Sequence, residues 1–570
     1  MSVYETLFDW QRQFVDKNPK EYLIDLVGPE KVHALESDAP VGLSGMERIG
    51  FFLRMGIGKT KISISKAEKL NGGADCIFAV SLKTKVVAGE MEGEFGDELK
   101  RAGYKVFYAH KALDENGELT IPSLDSKKNM KLFEQAIADG EKLAYIMNHE
   151  HMATKKGYQR LVYLATKYKN IAWIIDEAHK ISNRKSGLSK RVYDMLYKWG
   201  TPEVKISIRE VQKERKEAIA RQDWKRVKDL DDLTVLAKEN VFKKSIKGFY
   251  LLTGTPNASG YVSFYWLLVL LGHIWKHEYQ FIDDDTGEVT TKALKEYDAF
   301  FEEFCVEDTY AKKWNPFGKA IKKYKNVDKL LDIVQLYGFF AKTENYFKGM
   351  PTRSVEVRWV GRDMSYVKMT DPDKHNPHYR VLDGYICDSP ALLGLRARQL
   401  ASGFMGNAEK AEYYHTMKIE SIEELLRENP DNYLIFYNWT PELYMIMEAA
   451  DSAGYNIDVW YGKQKSQSNY RKATGEEGEK NVLIANIDSG SAALNLQKYS
   501  KVIFFAPPEL FMDFDQAIGR IERIGQKAKE VEVIVMIAKG TVEEKIWKKL
   551  QKGENYTEIM YSRDFIWREI

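Results

Sequence analysis

The stretch LRMGIGKT, Leu53 to Thr60, decides how this chain is read. Ahead of it, Ile49-Gly50-Phe51-Phe52-Leu53 is an apolar run of strand length; behind it, Lys61 to Leu70 has helical composition without Gly or Pro. A strand, a glycine-rich turn ending in Gly-Lys-Thr and a helix make a phosphate cradle, because backbone N–H groups face the anion and the helix dipole favours it. Gly56 and Gly58, lacking Cβ, permit the tight turn. Lys59 is placed to reach β- and γ-phosphates, and Thr60 to ligate Mg²⁺. Leu53 stands where the first Gly of G-x-x-x-x-G-K-[ST] belongs, so the short motif alone reads equally as an ordinary glycine turn before a helix.

At 570 residues the chain exceeds one core, and ~100–200 residues per domain suggests three or four units. Lys and Arg number 85 against 83 Asp and Glu, so any polyanion surface must be a local patch. Cys76, Cys305 and Cys387 lie far apart without zinc-ligand spacing, which predicts reduced thiols. The N-terminal MSVYETLFDWQRQF carries Glu5 and Asp9 and no apolar core, unlike a signal peptide. Tyr261 to Ile274 is too short and broken to span a bilayer.

Taken in order, Leu7-Phe8-Asp9-Trp10-Gln11 opens a helix-like segment, either plainly amphipathic or offering a Gln amide to an adenine edge. Asp75 to Ser81 and Leu143 to Asn148 read as buried strands, with Lys83 and Lys85 after the first. Asn170 to Ile175 runs into Asp176-Glu177-Ala178-His179, and carboxylates at the end of a buried strand sit where α/β sheets place ligands. Asp176 is expected to hold Mg²⁺, and Glu177 to orient the water that attacks a γ-phosphate. Residues 203–247, rich in Lys, Arg, Glu and Gln, read as a charged helical insertion. Gly248 to Leu252 is a further strand, ending in Thr253-Gly254-Thr255-Pro256, and Tyr261 to Phe347 reads as mostly helical. His375, His378 and Cys387 fit a loop better than a metal site. A second α/β unit follows, with strands at Tyr433–Tyr437, Asn456–Tyr461, Asn481–Ala485 and Lys501–Ala506. Phe514 to Gln526 is expected to set Arg520 and Arg523 on one helix face, the residue type suited to charge on a transferring phosphoryl.

Together LFDWQ, MGIGKT, DEAH, LTGTP, VWYGK, SGSAALNLQ (Ser489 to Gln497) and QAIGRIERIGQ (Gln516 to Gln526) resemble superfamily 2 helicase-like ATPases, in particular the Swi/Snf-type DNA translocase branch. Met350-Pro351 and Gly540-Thr541-Val542-Glu543-Glu544-Lys545 are similar to that branch too. The resemblance implies an α/β fold of two RecA-like parallel-sheet lobes with helical insertions. Lobe one would span 1–270, a helical insertion or linker 271–350, and lobe two 351–570. It implies ATP and Mg²⁺ as cofactors, with ATP between the lobes. Gln11, Met55, Gly56, Ile57, Gly58, Lys59, Thr60, Gly490 and Gln516 would bind nucleotide, and Thr60 and Asp176 would hold Mg²⁺. Lys59, Asp176, Glu177, Arg520 and Arg523 would be catalytic. The implied partner is DNA, contacted at its phosphates, with RNA or a restriction or recombination complex as alternatives, and no membrane. The compact form looks like phage or prokaryotic members, implying a cytoplasmic location, in the host if phage-encoded. Leu53-Arg54 and Ser489-Gly490-Ser491 depart from the family's pattern.

Overall fold

A computed structural model divides the chain into two compact units, residues 1–342 and 343–570. It describes residues 2–33, 46–54, 57–81, 95–109, 124, 127–197, 213–224, 226–228, 230, 241–256, 260–282, 289–308, 320–341, 351–371, 379–460, 480–487, 496–522, 526–553 and 555.

In the first unit the strands are β1 (Glu47–Leu53), β2 (Cys76–Ser81), β3 (Lys105–Tyr108), β4 (Leu143–Asn148), β5 (Ile171–Asp176) and β6 (Ile246–Leu252). They are followed by β7 (Lys276–Ile282), β8 (Val289–Lys295), β9 (Cys305–Glu307), β10 (Ile321–Tyr324) and β11 (Gly338–Ala341). Seven form one sheet in the order β11-β1-β6-β5-β2-β4-β3, every pairing parallel. Every residue of β2, β4 and β5 is buried. This is why their sequences read as unbroken apolar runs, since a parallel sheet is covered on both faces. Gly50 and Gly338 pair in register beneath the Phe52 ring, and a Cβ on either would lie within 2.6 Å of that ring.

The aromatic stretch after Tyr261 is less helical than its composition predicts. Helices Val262–Leu271, Glu296–Phe304 and Val327–Tyr337 are there, but β7–β8 and β9–β10 are antiparallel hairpins. The run Gly338–Ala341 joins the main sheet instead, where Phe339 stacks on Phe51 and on Phe14. Of the charged stretch 203–247, the described part includes a helix over 213–220 with a small core of its own, Ala218, Val227 and Leu230. Glu214 and Arg226 pair across it at 2.8 Å.

The second unit has β12 (Thr352–Val360) and two short hairpins, β13 (Arg380–Leu382) with β14 (Tyr385–Cys387) and β15 (Phe404–Met405) with β16 (Glu412–Tyr413). Then come β17 (Tyr433–Tyr437), β18 (Asn456–Trp460), β19 (Asn481–Asn486), β20 (Lys501–Phe504) and β21 (Glu530–Ala538). Its sheet runs β12-β21-β20-β17-β19-β18, again all parallel. The architecture is thus α/β with two RecA-like parallel sheets and inserted helices and hairpins. Under the second sheet Lys418 and Glu543 form a buried ion pair at 2.7 Å; Lys418 Nζ also donates to the Phe505 carbonyl, and Glu543 accepts from the Ala538 N–H. The helix expected to run through Arg520 and Arg523 spans Phe511–Ile518 only. Gly519, a poor helix former, ends it, and the Arg520 and Ile521 N–H groups bond three residues back in a tightened turn.

Candidate functional site

All strands of the first sheet are parallel, so Leu53, Ser81, Asn148, Asp176 and Leu252 end on one edge. β6 lies between β1 and β5, which sets the glycine turn and the Asp176 carboxylate two strand spacings apart, roughly 10 Å. A triphosphate with its metal ion is of that size.

Gly58 caps the helix Lys59–Glu68 with φ +84°, the left-handed conformation that favours glycine. Lys59 and Thr60 therefore fall in the first turn, where N–H groups are unpaired by the helix itself. Lys59 Nζ donates to the Leu53 and Arg54 carbonyls at 2.9 and 3.4 Å, resting across the mouth of the turn. The Thr60 hydroxyl has no protein partner among the described residues, which suits a metal ligand. Gln11 is buried on the helix Asp9–Asp16; its Nε2 donates to the Ile57 carbonyl and its Oε1 accepts from the Phe8 N–H at 2.8 Å. Met55 and Gly56 lie outside the described residues.

Asp176, 3% exposed, ends β5 and accepts a hydrogen bond from Ser81 Oγ at 3.0 Å. Its backbone carbonyl meets His149 Nε2 at 2.9 Å; a carbonyl only accepts, so His149 carries its proton there. Burial, reinforced by nearby Lys180, pushes the His149 pKa down to about 4, leaving the ring neutral at pH 7. Glu177 is buried with φ +50°, an uncommon conformation for a residue with a side chain, and it turns the chain sharply off the strand. Its Oε2 is 3.5 Å from His179 Nδ1, which in turn is 3.2 Å from Thr253 Oγ1 at the end of β6. Thr253 Oγ1 also accepts from the Thr255 N–H. The DEAH and LTGTP stretches are therefore joined by side chains. Sequence reasoning passed over Ser81 and His149; polar residues at the ends of β2 and β4, the two successive strands on one side of β5, were the signal.

Magnesium binds through one or two protein oxygens plus phosphates and water. A threonine hydroxyl and a buried carboxylate at one sheet edge fit that need, whereas no cluster of three or more ligating side chains occurs among the described residues.

In the second unit Gln516 is buried on the helix Phe511–Ile518, and Arg520 is 4% exposed in the turn after it. The Arg520 carbonyl accepts from the Leu496 N–H. Gly490 and Arg523 lie outside the described residues, as do Lys83, Lys85, His375, His378, Gly462, Lys463, Ser489 and Ser491.

Beside Asp176 the surface is basic. From Asp176 to Arg191 there are five Lys and Arg against two carboxylates, Asp176 and Glu177, both buried. Lys155, Lys156, Lys180, Lys185 and Lys190 are exposed. Helices Lys155–Lys167 and Gly187–Tyr197 have no acidic residue in their first turns. Arg191 joins their starts, donating to the Thr154 carbonyl at 3.5 Å and lying over the Tyr158 ring.

The two parallel sheets define an α/β protein with two RecA-like units. Residues 417–525 match the model of the Helicase conserved C-terminal domain. Over 150 residues, 25% of this chain and 14% of the relative, the chain is 30% identical to the DNA repair protein RAD5A of Arabidopsis thaliana. Over 156 residues, 26% and 18% of the two chains, it is 28% identical to a SWI/SNF-related matrix-associated actin-dependent regulator of chromatin, subfamily A member 3-like 1, of the same plant. The chain spans less than a fifth of the length of these curated relatives. Over these matched stretches the chain is similar to superfamily 2 helicase-like proteins of the Swi/Snf type. The solved C-terminal part of the Fun30 ATPase domain is matched at 17% identity and a TM-score of 0.31, over 38% of this chain and 98% of that one. Among the described residues no helix is long and apolar enough to cross a membrane.

Proposed function

We propose that this chain hydrolyses ATP and uses the cycle to move along or remodel DNA. The observation that carries the reading is the single sheet edge on which the Gly58 turn, Lys59, Thr60, Asp176 and Glu177 end, with the Gln11 amide against the turn. In this reading Lys59 leaves the Leu53 and Arg54 carbonyls for the β- and γ-phosphates, and Gln11 reads the adenine edge. Thr60 and Asp176 would hold Mg²⁺, which would supply charge neutralisation at the phosphates. Glu177 orients and deprotonates the attacking water; the bond from phosphorus to the bridging oxygen breaks, and ADP leaves with its electron pair. Met55, Gly56 and Ile57 belong to the same turn and complete the phosphate cradle in this reading.

Catalysis of this kind rests on positioning and electrostatics. The Glu177–His179–Thr253 chain gives the carboxylate a mechanical connection to the next strand, so loss of the γ-phosphate can be felt at β6. The basic surface at Lys180, Lys185 and Lys190 supports a polyanionic partner and favours phosphate contacts over base contacts.

The test is phosphate release with duplex, single-stranded and forked DNA and with RNA, followed by an unwinding assay on the best activator. DNA stimulation and its loss in Lys59→Ala are expected. Stimulation by RNA alone would make the enzyme an RNA-dependent one, and absence of turnover with every polymer would remove the motor reading.

A further inference from the structure

We infer that Lys66, at the sheet end opposite the phosphate turn, is a positioning residue for Gln11 and hence for ATP selection. The inference rests on the nucleotide role proposed above for Gln11.

Lys66 is 6% exposed in the last turns of the helix that Lys59 opens. An ammonium has three N–H donors. Here they meet three acceptors: the Val15 carbonyl at 2.9 Å, the Lys17 carbonyl at 3.0 Å and Glu47 Oε1 at 3.2 Å. Val15 and Lys17 sit at the end of the helix Asp9–Asp16, where carbonyls have no partner within the helix. Glu47 is the first residue of β1, and its other oxygen accepts from the Tyr250 hydroxyl of β6 at 2.7 Å. One side chain therefore fastens the Gln11 helix to the Lys59 helix and to two strands of the sheet.

The geometry makes the fastening act at a distance. Gln11 and Val15 are about one helical turn apart, roughly 6 Å; Lys59 and Lys66 are about two turns apart, roughly 10 Å. Both helices touch the phosphate turn at one end and Lys66 at the other. The neighbouring pair of Lys69 and Asp16 does not substitute for it, because both side chains are 42% exposed. Exposed pairs hold little in place. Gln11 lies close against Gly58, its Nε2 2.8 Å from the point a Cβ there would occupy, and it donates to the Ile57 carbonyl. A shift near 1 Å in a group that places substrate can cost ~10²-fold.

Lys66 also borders a polar cleft of about 740 Å³, whose wall includes Asn18, Asn71, Asn170 and Lys247. That space lets an arginine replace Lys66 without overpacking.

The experiment measures ATP and GTP hydrolysis, affinity for a fluorescent ATP analogue, and melting temperature. The panel is wild type, Lys66→Met, Lys66→Arg, Gln11→Ala and the double variant Gln11→Ala/Lys66→Met. Lys66→Met should raise the KM for ATP ~10-fold with kcat within ~2-fold, and erode the preference for ATP over GTP as Gln11→Ala does. Lys66→Arg should restore the preference, and the double variant should be no worse than Gln11→Ala alone. A preference unchanged in Lys66→Met, or effects that add in the double variant, would overturn the inference. Should Lys66→Met fail to fold, Lys66→Gln takes its place, and the same outcomes support or overturn the inference. If wild type binds the analogue without hydrolysing ATP, the motor reading fails while the affinities still decide the role of Lys66. If Gln11→Ala keeps full preference for ATP, the Gln11 role and this inference fall together.

Discussion

Gly58 and Gln11 occupy one small space although 46 positions separate Gln11 from Ile57, whose carbonyl it also holds. A methyl group on residue 58 would stand 2.8 Å from Gln11 Nε2, on a backbone at φ +84° that side chains disfavour. Gly58→Ala should therefore lower stability by ~1–2 kcal/mol and raise the KM for ATP, read by denaturant melts and steady-state kinetics. His149 and His273 give a second residue-level prediction. Burial holds both folded pKa values down to about 4, against about 6.5 for an exposed imidazole. The unfolded chain thus binds more protons between those values, so stability is complete above pH ~6.5 and falls as pH drops toward ~4. The melting temperature should decline across that window, and His273→Phe should flatten the decline. At this scale the sequence displayed the positions of Lys59 and Thr60 at a helix start and of Asp176 and Glu177 at a strand end, because each pair is contiguous with the element that carries it. It hid Ser81, His149 and Lys66, whose partners are brought to them by strand order and helix packing.

Among elements, the buried runs were the most legible. Leu143–Asn148 and Tyr433–Tyr437 are strands over the expected residues, since a parallel strand covered on both faces leaves an unbroken apolar signature. The stretch after Tyr261 was misjudged because aromatic richness marks burial without marking period. Tyr279 and Phe281 alternate along β7, and Asp285-Thr286-Gly287 has turn chemistry, so the hairpin signal was present and outweighed. Arg520 shows the converse error: a helical pattern was extended through Gly519, where the helix ends. The Lys418–Glu543 pair carries the strongest stability prediction. Neither side chain exceeds 1% exposure, so Glu543→Ala leaves an ammonium buried without its counter-charge. The cost should be ~3–5 kcal/mol by chemical denaturation, with Lys418→Met/Glu543→Leu recovering much of it.

For the molecule as a whole, charge is balanced at 85 basic against 83 acidic residues, so long-range attraction to a polyanion must come from uneven placement. In the proposed reading the exposed Lys180, Lys185 and Lys190 supply it. DNA affinity should fall steeply with salt, and replacing those three lysines by glutamine should reduce the log–log slope by ~2–3, about 0.9 per lost phosphate contact. An unchanged slope would place the DNA elsewhere on the protein.

The ion pair beneath the second sheet has a practical corollary. The helicase C-terminal match stops at residue 525, short of both β21 and Glu543. A gene trimmed to that boundary would delete the strand joining β12 to β20 and strip Lys418 of the carboxylate it is paired with. Such a fragment should come out of the cell as inclusion bodies, whereas one continued through Gly553 keeps the sheet whole.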